Sequence, residues 1–179
     1  MKKEFFQEIV KPFLVLVIIC VVAAGILALT NQATAPIIAE NARIEAEQTR
    51  KAVLPDATDF EEIVCEESWG IDSAFRDAGG SGYVFTASAK GYGGNVVVTL
   101  GVDPEGKILN IKVDASTETQ GIGSKTAQTE YTDKFLGQDK DSLSVDTITG
   151  ATFSSKAVKT SVENALAAFE AIKAQEGGK

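Results

Sequence analysis

Two short segments carry residue types at spacings suited to chemistry. The first, DTITGATFSS at residues 146–155, passes through Gly150 into the start of a long apolar-periodic stretch. A helix start offers unbonded N–H groups and the positive end of the helix dipole, and both favour a phosphate. Ser154 and Ser155 add hydroxyls, Lys156 and Lys159 add positive charge, and Gly150 lets backbone and ligand come close. Ordinary helix caps use the same Ser/Thr pattern, so the residues alone leave phosphate binding and capping both open. The second segment, ETQGIG at residues 118–123, directly follows a strand-like run. Gly121 and Gly123 suit a ligand passing near the backbone, or simply a flexible loop. The third glycine and the βαβ setting of a dinucleotide fingerprint are missing.

Other candidates are weaker. Glu61 with Glu62, and Glu66 with Glu67, resemble paired carboxylates for metal or acid–base work, but a solvated acidic surface is the favoured reading. The chain has 179 residues and no histidine, which removes Ser-His-Asp and Cys-His catalysis and His-ligated metal or haem. Its two cysteines, Cys20 and Cys65, are too few and too far apart for an iron–sulfur or zinc site of its own. A net charge of −8 argues against nucleic acid as a partner. Redox chemistry here would have to come from an organic cofactor or from a partner chain.

These segments need elements to position them. Residues 13–29, FLVLVIICVVAAGILAL, contain no charged side chain, and residues 12–30 are about long enough to cross a ~30 Å hydrocarbon core as a helix. A cleaved signal peptide is the alternative, with an Ala-x-Ala at residues 33–35, but the apolar run is longer than usual for one. Lys2, Lys3 and Lys11 precede the run and Arg43 is the first basic residue after it. That places residues 1–11 in the cytoplasm and the main body outside. Phe5, Phe6, Ile9 and Val10 can lie along the inner membrane surface or form a solvated start. Residues 31–55, with prolines at Pro36 and Pro55, read as a stalk helix, and residues 56–80 as irregular and acidic.

From Gly82 the pattern turns to strands: YVFTASAK, NVVVTLGV and KILNIKV, with a Pro104–Gly106 turn making the last two a hairpin. Alternation puts Leu109, Ile111 and Val113 on one face. A helix is expected over 126–136, a short strand over 145–148 and a long final helix over 154–174. The expected architecture is α+β: one transmembrane helix, then a small mixed α/β domain with an antiparallel sheet over residues 56–179.

Four stretches together resemble the FMN-binding-domain family, which includes the G subunit of the Rnf complex and the C subunit of the sodium-translocating NADH:quinone reductase. They are TAPII at 34–38, GYGGNVVVTLGVDPEGKILNIKV at 91–113, ETQGIG at 118–123 and, most specific, DTITGAT at 146–152. The short chain is more similar to the Rnf protein of the two. Gln120 stands where the family usually has proline and Ser116 where it often has histidine, departures that bear on loop shape and flavin potential.

The resemblance implies a non-catalytic electron carrier with FMN joined to Thr152 by a phosphoester. A separate magnesium-dependent flavin transferase would install the FMN from FAD, recognising Asp146, Thr149, Gly150 and Ala151. It also implies flavin contacts from Glu118, Thr119, Gly121, Ile122, Ser155 and Lys134. Glu118 and Thr119 are expected to tune or position the ring without holding it on. Tyr92 is expected either to stack on the ring or to be buried in the sheet. The implied partners are membrane lipid and other Rnf subunits, the D subunit above all, in a complex coupling ferredoxin:NAD electron transfer to Na+ or H+ movement. Two further readings remain: a stand-alone membrane-anchored extracytoplasmic flavoprotein, and an anchored assembly module without flavin.

Overall fold

A long helix, α1 (Lys11–Val53), leads into an antiparallel five-stranded meander. The strands are β1 (Phe60–Ile63), β2 (Ser73–Asp77), β3 (Tyr83–Lys90), β4 (Asn95–Val102) and β5 (Ile108–Asp114), each pairing with the next in the chain. A short helix, α2 (Thr129–Thr132), lies between two 3-10 turns, and a long helix, α3 (Thr152–Gly177), closes the fold. This computed structural model describes residues 10–177. Lys2, Lys3, the expected surface segment at Phe5, Phe6 and Ile9, and the tail at Gly178 and Lys179 lie outside the described residues. The chain divides into two compact units after Ala46.

In the first unit, α1 contains a window of mean hydropathy 3.1 with none of it buried. Phe13, Leu16, Val21, Leu27 and Leu29 all point away from protein, which is stable only where something other than water covers them. Thr30 and Thr34 donate their hydroxyls back to the carbonyls of Ile26 and Thr30, both at 2.9 Å. Each thus satisfies its polar group within the helix, as a segment leaving an apolar phase must. The helix runs through Pro36 without a break, so neither residue 30 nor Pro36 is a boundary of secondary structure.

In the second unit, the last turn of α1 is seated on the sheet. Val53 and Leu54 are each 1% exposed and pack with Val84 and, more loosely, Phe60 and Phe75. The Arg50 guanidinium lies 4.2 Å from the centre of the Phe75 ring, a cation–π contact. Asn110 donates to the Ala52 carbonyl at 3.2 Å, satisfying one of the acceptors that every helix end leaves open. The seat needs Gly101. A Cβ there would stand 2.2 Å from the Val53 carbonyl oxygen.

The opposite face carries the main core, where α3 contributes Val158, Val162, Ala165, Leu166 and Phe169 against Phe85, Val98 and Leu100. The helical spacing of those α3 residues is what buries one stripe of the helix. Asp77, 2% exposed, organises the β2–β3 turn by accepting from the N–H groups of Thr58, Asp59 and Ser81 and from the Ser81 hydroxyl.

Several local expectations change. Residues 56–80 are not irregular; β1 and β2 pair from Phe60↔Asp77 to Ile63↔Ala74. Both strands are too short to show a clear apolar alternation, and β1 carries two glutamates; β2 pairs with β3 and β1 with β2. On β5, Ile108 is buried while Leu109 is 46% exposed, because a register shift at Gly101/Val102 breaks the alternation. The helix expected over 126–136 is a series of single turns, Gly123–Ala127, Thr129–Thr132 and Asp133–Phe135, wrapping Tyr131 and Phe135 into the core. Residues 145–148 form no strand; Val145 is buried, but no neighbouring strand is there to pair with. The final helix starts at Thr152, two residues earlier than expected.

Candidate functional site

The β3–β4 turn, the loop after β5 and the start of α3 come together around a cleft of about 310 Å³. The turn contributes Tyr92, the loop contributes Glu118, Thr119, Ile122 and Gly123, and the helix start contributes residues 150–154. At the helix start the first intrahelical bond runs from the Ser155 N–H to the Ala151 carbonyl at 2.9 Å. The N–H groups of Thr152, Phe153 and Ser154 therefore have no acceptor within the helix and carry the positive end of its dipole. Gly150, at φ +84°, makes the left-handed turn into the helix, with nothing within 4 Å of where a Cβ would be.

The three helix-start hydroxyls differ sharply. Ser155 is fully buried and its oxygen accepts from the Ile148 N–H at 3.0 Å, so it ties the preceding loop to the helix. Ser154 is 2% exposed and donates to the Glu118 carboxylate through a short hydrogen bond. Thr152 is exposed on the cleft. Tyr92 (74% exposed) and Phe153 (66% exposed) line the same cleft, with ring centres 6.4 Å apart and ring planes tilted by 44°. Tyr92 is thus not a buried sheet tyrosine. Ile122, half exposed, adds a third apolar wall.

Glu118 is only 7% exposed. Its Oε1 accepts from the Gly93 and Gly94 N–H groups at 2.9 and 3.3 Å, and its Oε2 accepts from the Tyr92 N–H at 3.2 Å and from Ser154. Burial pushes its carboxyl up, but the bonds from Ser154 and the three amides outweigh burial and hold it below the usual carboxylate range.

Of the residues marked from sequence, the cleft brings together Glu118, Thr119, Ile122, Gly150, Ala151 and Thr152. Thr149 and Gly121 are chain neighbours of the lining but do not line it, and Ser155 faces inward. Lys134 lies elsewhere, with its ammonium 5.8 Å from the Tyr131 ring centre, beside a separate depression with Lys125 and Gln128. Phe153 is a lining residue that sequence reasoning missed, whereas Gly123, marked with Gly121 for close approach of a ligand, does line the cleft. Phe153 sits between a threonine and a serine pair, and no pattern marks such an aromatic as exposed rather than core. The paired carboxylates do not converge: Glu61 accepts from Arg76 at 2.7 Å and Glu66 accepts from Gln175 at 3.3 Å. Among the described residues no group of three potential metal ligands comes together.

Aromatic walls, an apolar side and an unbonded helix N-terminus beside one free hydroxyl suit a planar ring system carrying a phosphate. Similarity to known proteins points the same way. A model of the FMN-binding domain matches residues 91–167, and a model of the RnfG N-terminal region matches residues 1–53. The G subunit of the Na(+)-translocating ferredoxin:NAD(+) oxidoreductase complex of Acetobacterium woodii is 31% identical over 92% of this chain and 93% of its own length. The chain belongs to the RnfG family. The G subunit of the proton-translocating ferredoxin:NAD(+) oxidoreductase complex of Clostridium ljungdahlii is 28% identical over 92% of this chain and 91% of its own. The NADH:acrylate oxidoreductase of Vibrio harveyi is 39% identical over 46% of this chain, a stretch that makes up 8% of that protein. The RnfG-type chain therefore joins an apolar anchor helix to an FMN-binding domain, and it is a membrane-anchored flavoprotein of electron transport.

Proposed function

We propose that the chain carries FMN as a phosphoester on Thr152 and relays electrons within an ion-translocating ferredoxin:NAD oxidoreductase complex. The observation that carries this reading is the selection among hydroxyls. Ser154 and Ser155 are buried and engaged, whereas Thr152 is exposed at the first position of α3, on the cleft. Attachment from FAD would form the bond from Thr152 Oγ to the flavin-side phosphorus and break the pyrophosphate. AMP would leave and the hydroxyl proton would pass to solvent. The resulting anionic diester would sit beside the unbonded amides of residues 152–154, where the helix dipole favours negative charge.

When bound, FMN supplies the redox chemistry; the chain supplies position and surroundings. Tyr92, Phe153 and Ile122 would cover the faces of a planar ring with apolar surface, and Thr119 would offer a hydroxyl at the edge of the cleft. Residues 12–30 would lie in the membrane, 31–55 form the stalk, and the body from residue 56 lie outside the cytoplasm. Other subunits of the complex, the D subunit among them, would be its partners, and a flavin transferase would act on the exposed helix start.

Coexpression with a flavin transferase tests the attachment. Peptide mass mapping should place FMN on Thr152, and Thr152→Ala should lose the fluorescent band on a denaturing gel; a band that persists rules this site out. A reporter active only outside the cytoplasm, fused after the last helix, should be active; activity of a cytoplasmic reporter instead reverses the orientation.

A further inference from the structure

Glu118, the residue most plainly marked as a flavin contact by its motif, has both carboxylate oxygens engaged with protein. Its four donors come from two separated segments: the amides of Tyr92, Gly93 and Gly94 in the β3–β4 turn, and the hydroxyl of Ser154 in the first turn of α3. We infer that Glu118 is a positioning residue that latches this turn to the start of α3 and so sets the separation of the two aromatic walls of the cleft. Tyr92 is held through its own N–H. Phe153 is held through its chain neighbour Ser154. Both rings project from backbone fixed by one buried carboxylate, with ring centres 6.4 Å apart and planes tilted by 44°.

The glycines support this assignment. A Cβ at Gly91 would stand 2.4 Å from Glu118 Oε1, and one at Gly123 would stand 2.6 Å from Ser154 Oγ and 2.7 Å from Glu118 Oε2. A Cβ at Gly93 would meet the Thr117 carbonyl at 2.2 Å, and one at Gly94 would meet the Thr117 side chain at 2.8 Å. The glycines of GYGG, and the second glycine of ETQGIG, make room for the latch and the strand end beside it. Three amides and a hydroxyl converging on a carboxylate form charge-assisted bonds, the kind that hold a geometry most firmly.

The structural half of this inference stands on the protein alone; its consequence for the cofactor rests on FMN occupying the cleft as proposed above. The test uses the full chain in nanodiscs, with and without the cofactor. In Glu118→Gln one of the two acceptor oxygens becomes a donor, so whichever way the carboxamide turns at least one of the amides of Tyr92, Gly93 and Gly94 loses its acceptor. Amide hydrogen exchange at residues 92–94 in the flavin-free chain should rise by roughly tenfold or more, the factor carried by about one lost hydrogen bond. In the flavin-loaded chain the visible circular dichroism of the flavin should change. Ser154→Ala cuts only the link to α3 and should change the dichroism in the same direction. If Glu118→Gln does not fold, Ser154→Ala alone decides. Unchanged exchange at 92–94 in Glu118→Gln overturns the latch. Faster exchange with unaltered flavin dichroism, or Ser154→Ala with wild-type dichroism, overturns its role at the cleft. A wild-type chain that takes no flavin defeats the proposed function, while the exchange experiment still tests the latch.

Discussion

Gly101→Ala should unseat the end of the anchor helix while leaving the flavin cleft intact. The added methyl would stand 2.2 Å from the Val53 carbonyl oxygen and 2.8 Å from its carbon. Both are backbone atoms in a helix whose last residue is buried, so neither can rotate away. Relief requires the last turn of α1 to lift, which exposes Val53 and Leu54, each now 1% exposed. Burying such side chains is worth about 1.5–3 kcal/mol apiece, so the seat is worth roughly 3–6 kcal/mol as an upper estimate. A domain of this size has only about 5–15 kcal/mol in all, and the melting temperature should fall by roughly 10 °C. Trypsin gives a local readout, because the basic residues Arg50 and Lys51 sit in the seated turn. Arg50 is stacked on Phe75 in the wild type, and cleavage there should become fast in the variant. Flavin attachment should persist. Gly101 is six residues along β4 from Asn95, roughly 20 Å from the turn that borders the cleft. A variant that melts within ~2 °C of wild type and still resists trypsin at Arg50 and Lys51 would refute the reasoning.

Further outcomes follow from the buried titratable groups. Asp77→Asn leaves one acceptor where four donors converge; chemical denaturation should show a loss of roughly 2–4 kcal/mol, with Asp77→Ala worse. The Ser81 hydroxyl and N–H, with the Thr58 and Asp59 amides, hold the Asp77 carboxyl far below its ordinary range, and Glu118 is held low as well. Each contributes stability that is present above the unfolded carboxyl range near pH 4 and is lost as pH falls through the depressed native values. Denaturant melts from pH 5 to pH 2 should show this slope shrink in Asp77→Asn. Tyr83 titrates in the opposite sense. Burial first, then the Glu176 carboxylate accepting its hydroxyl at 2.8 Å, push it up to about 12. Between about pH 10 and 12 the unfolded chain releases that proton more readily, so stability should fall as pH rises. Absorbance at the phenolate band should show the late ionisation, and Tyr83→Phe should remove it.

Much of the site was legible in the linear order of residues. DTITGAT announced a helix start with a glycine turn, and α3 does begin at Thr152. The long uncharged run announced the anchor helix, and the β-rich runs after Gly82 announced β3, β4 and β5, because propensity and period are local properties that a short window records. The sequence also brought ETQGIG forward as part of the site, and the cleft does contain Glu118, Thr119 and Ile122. Tertiary structure decided what these residues do. Glu118 is a latch rather than an open carboxylate because amides 24 to 26 residues away and a hydroxyl 36 residues away turn toward it. Tyr92 is exposed because the turn, not the strand, carries it. β2 is held by its ladder to β3 and β1 by its ladder to β2, and Lys134 lies beside the Tyr131 ring rather than on the cleft. Hydrogen bonds between segments distant in the chain leave no period in the sequence, so the partners that fix the cleft's geometry become visible only when the chain is folded.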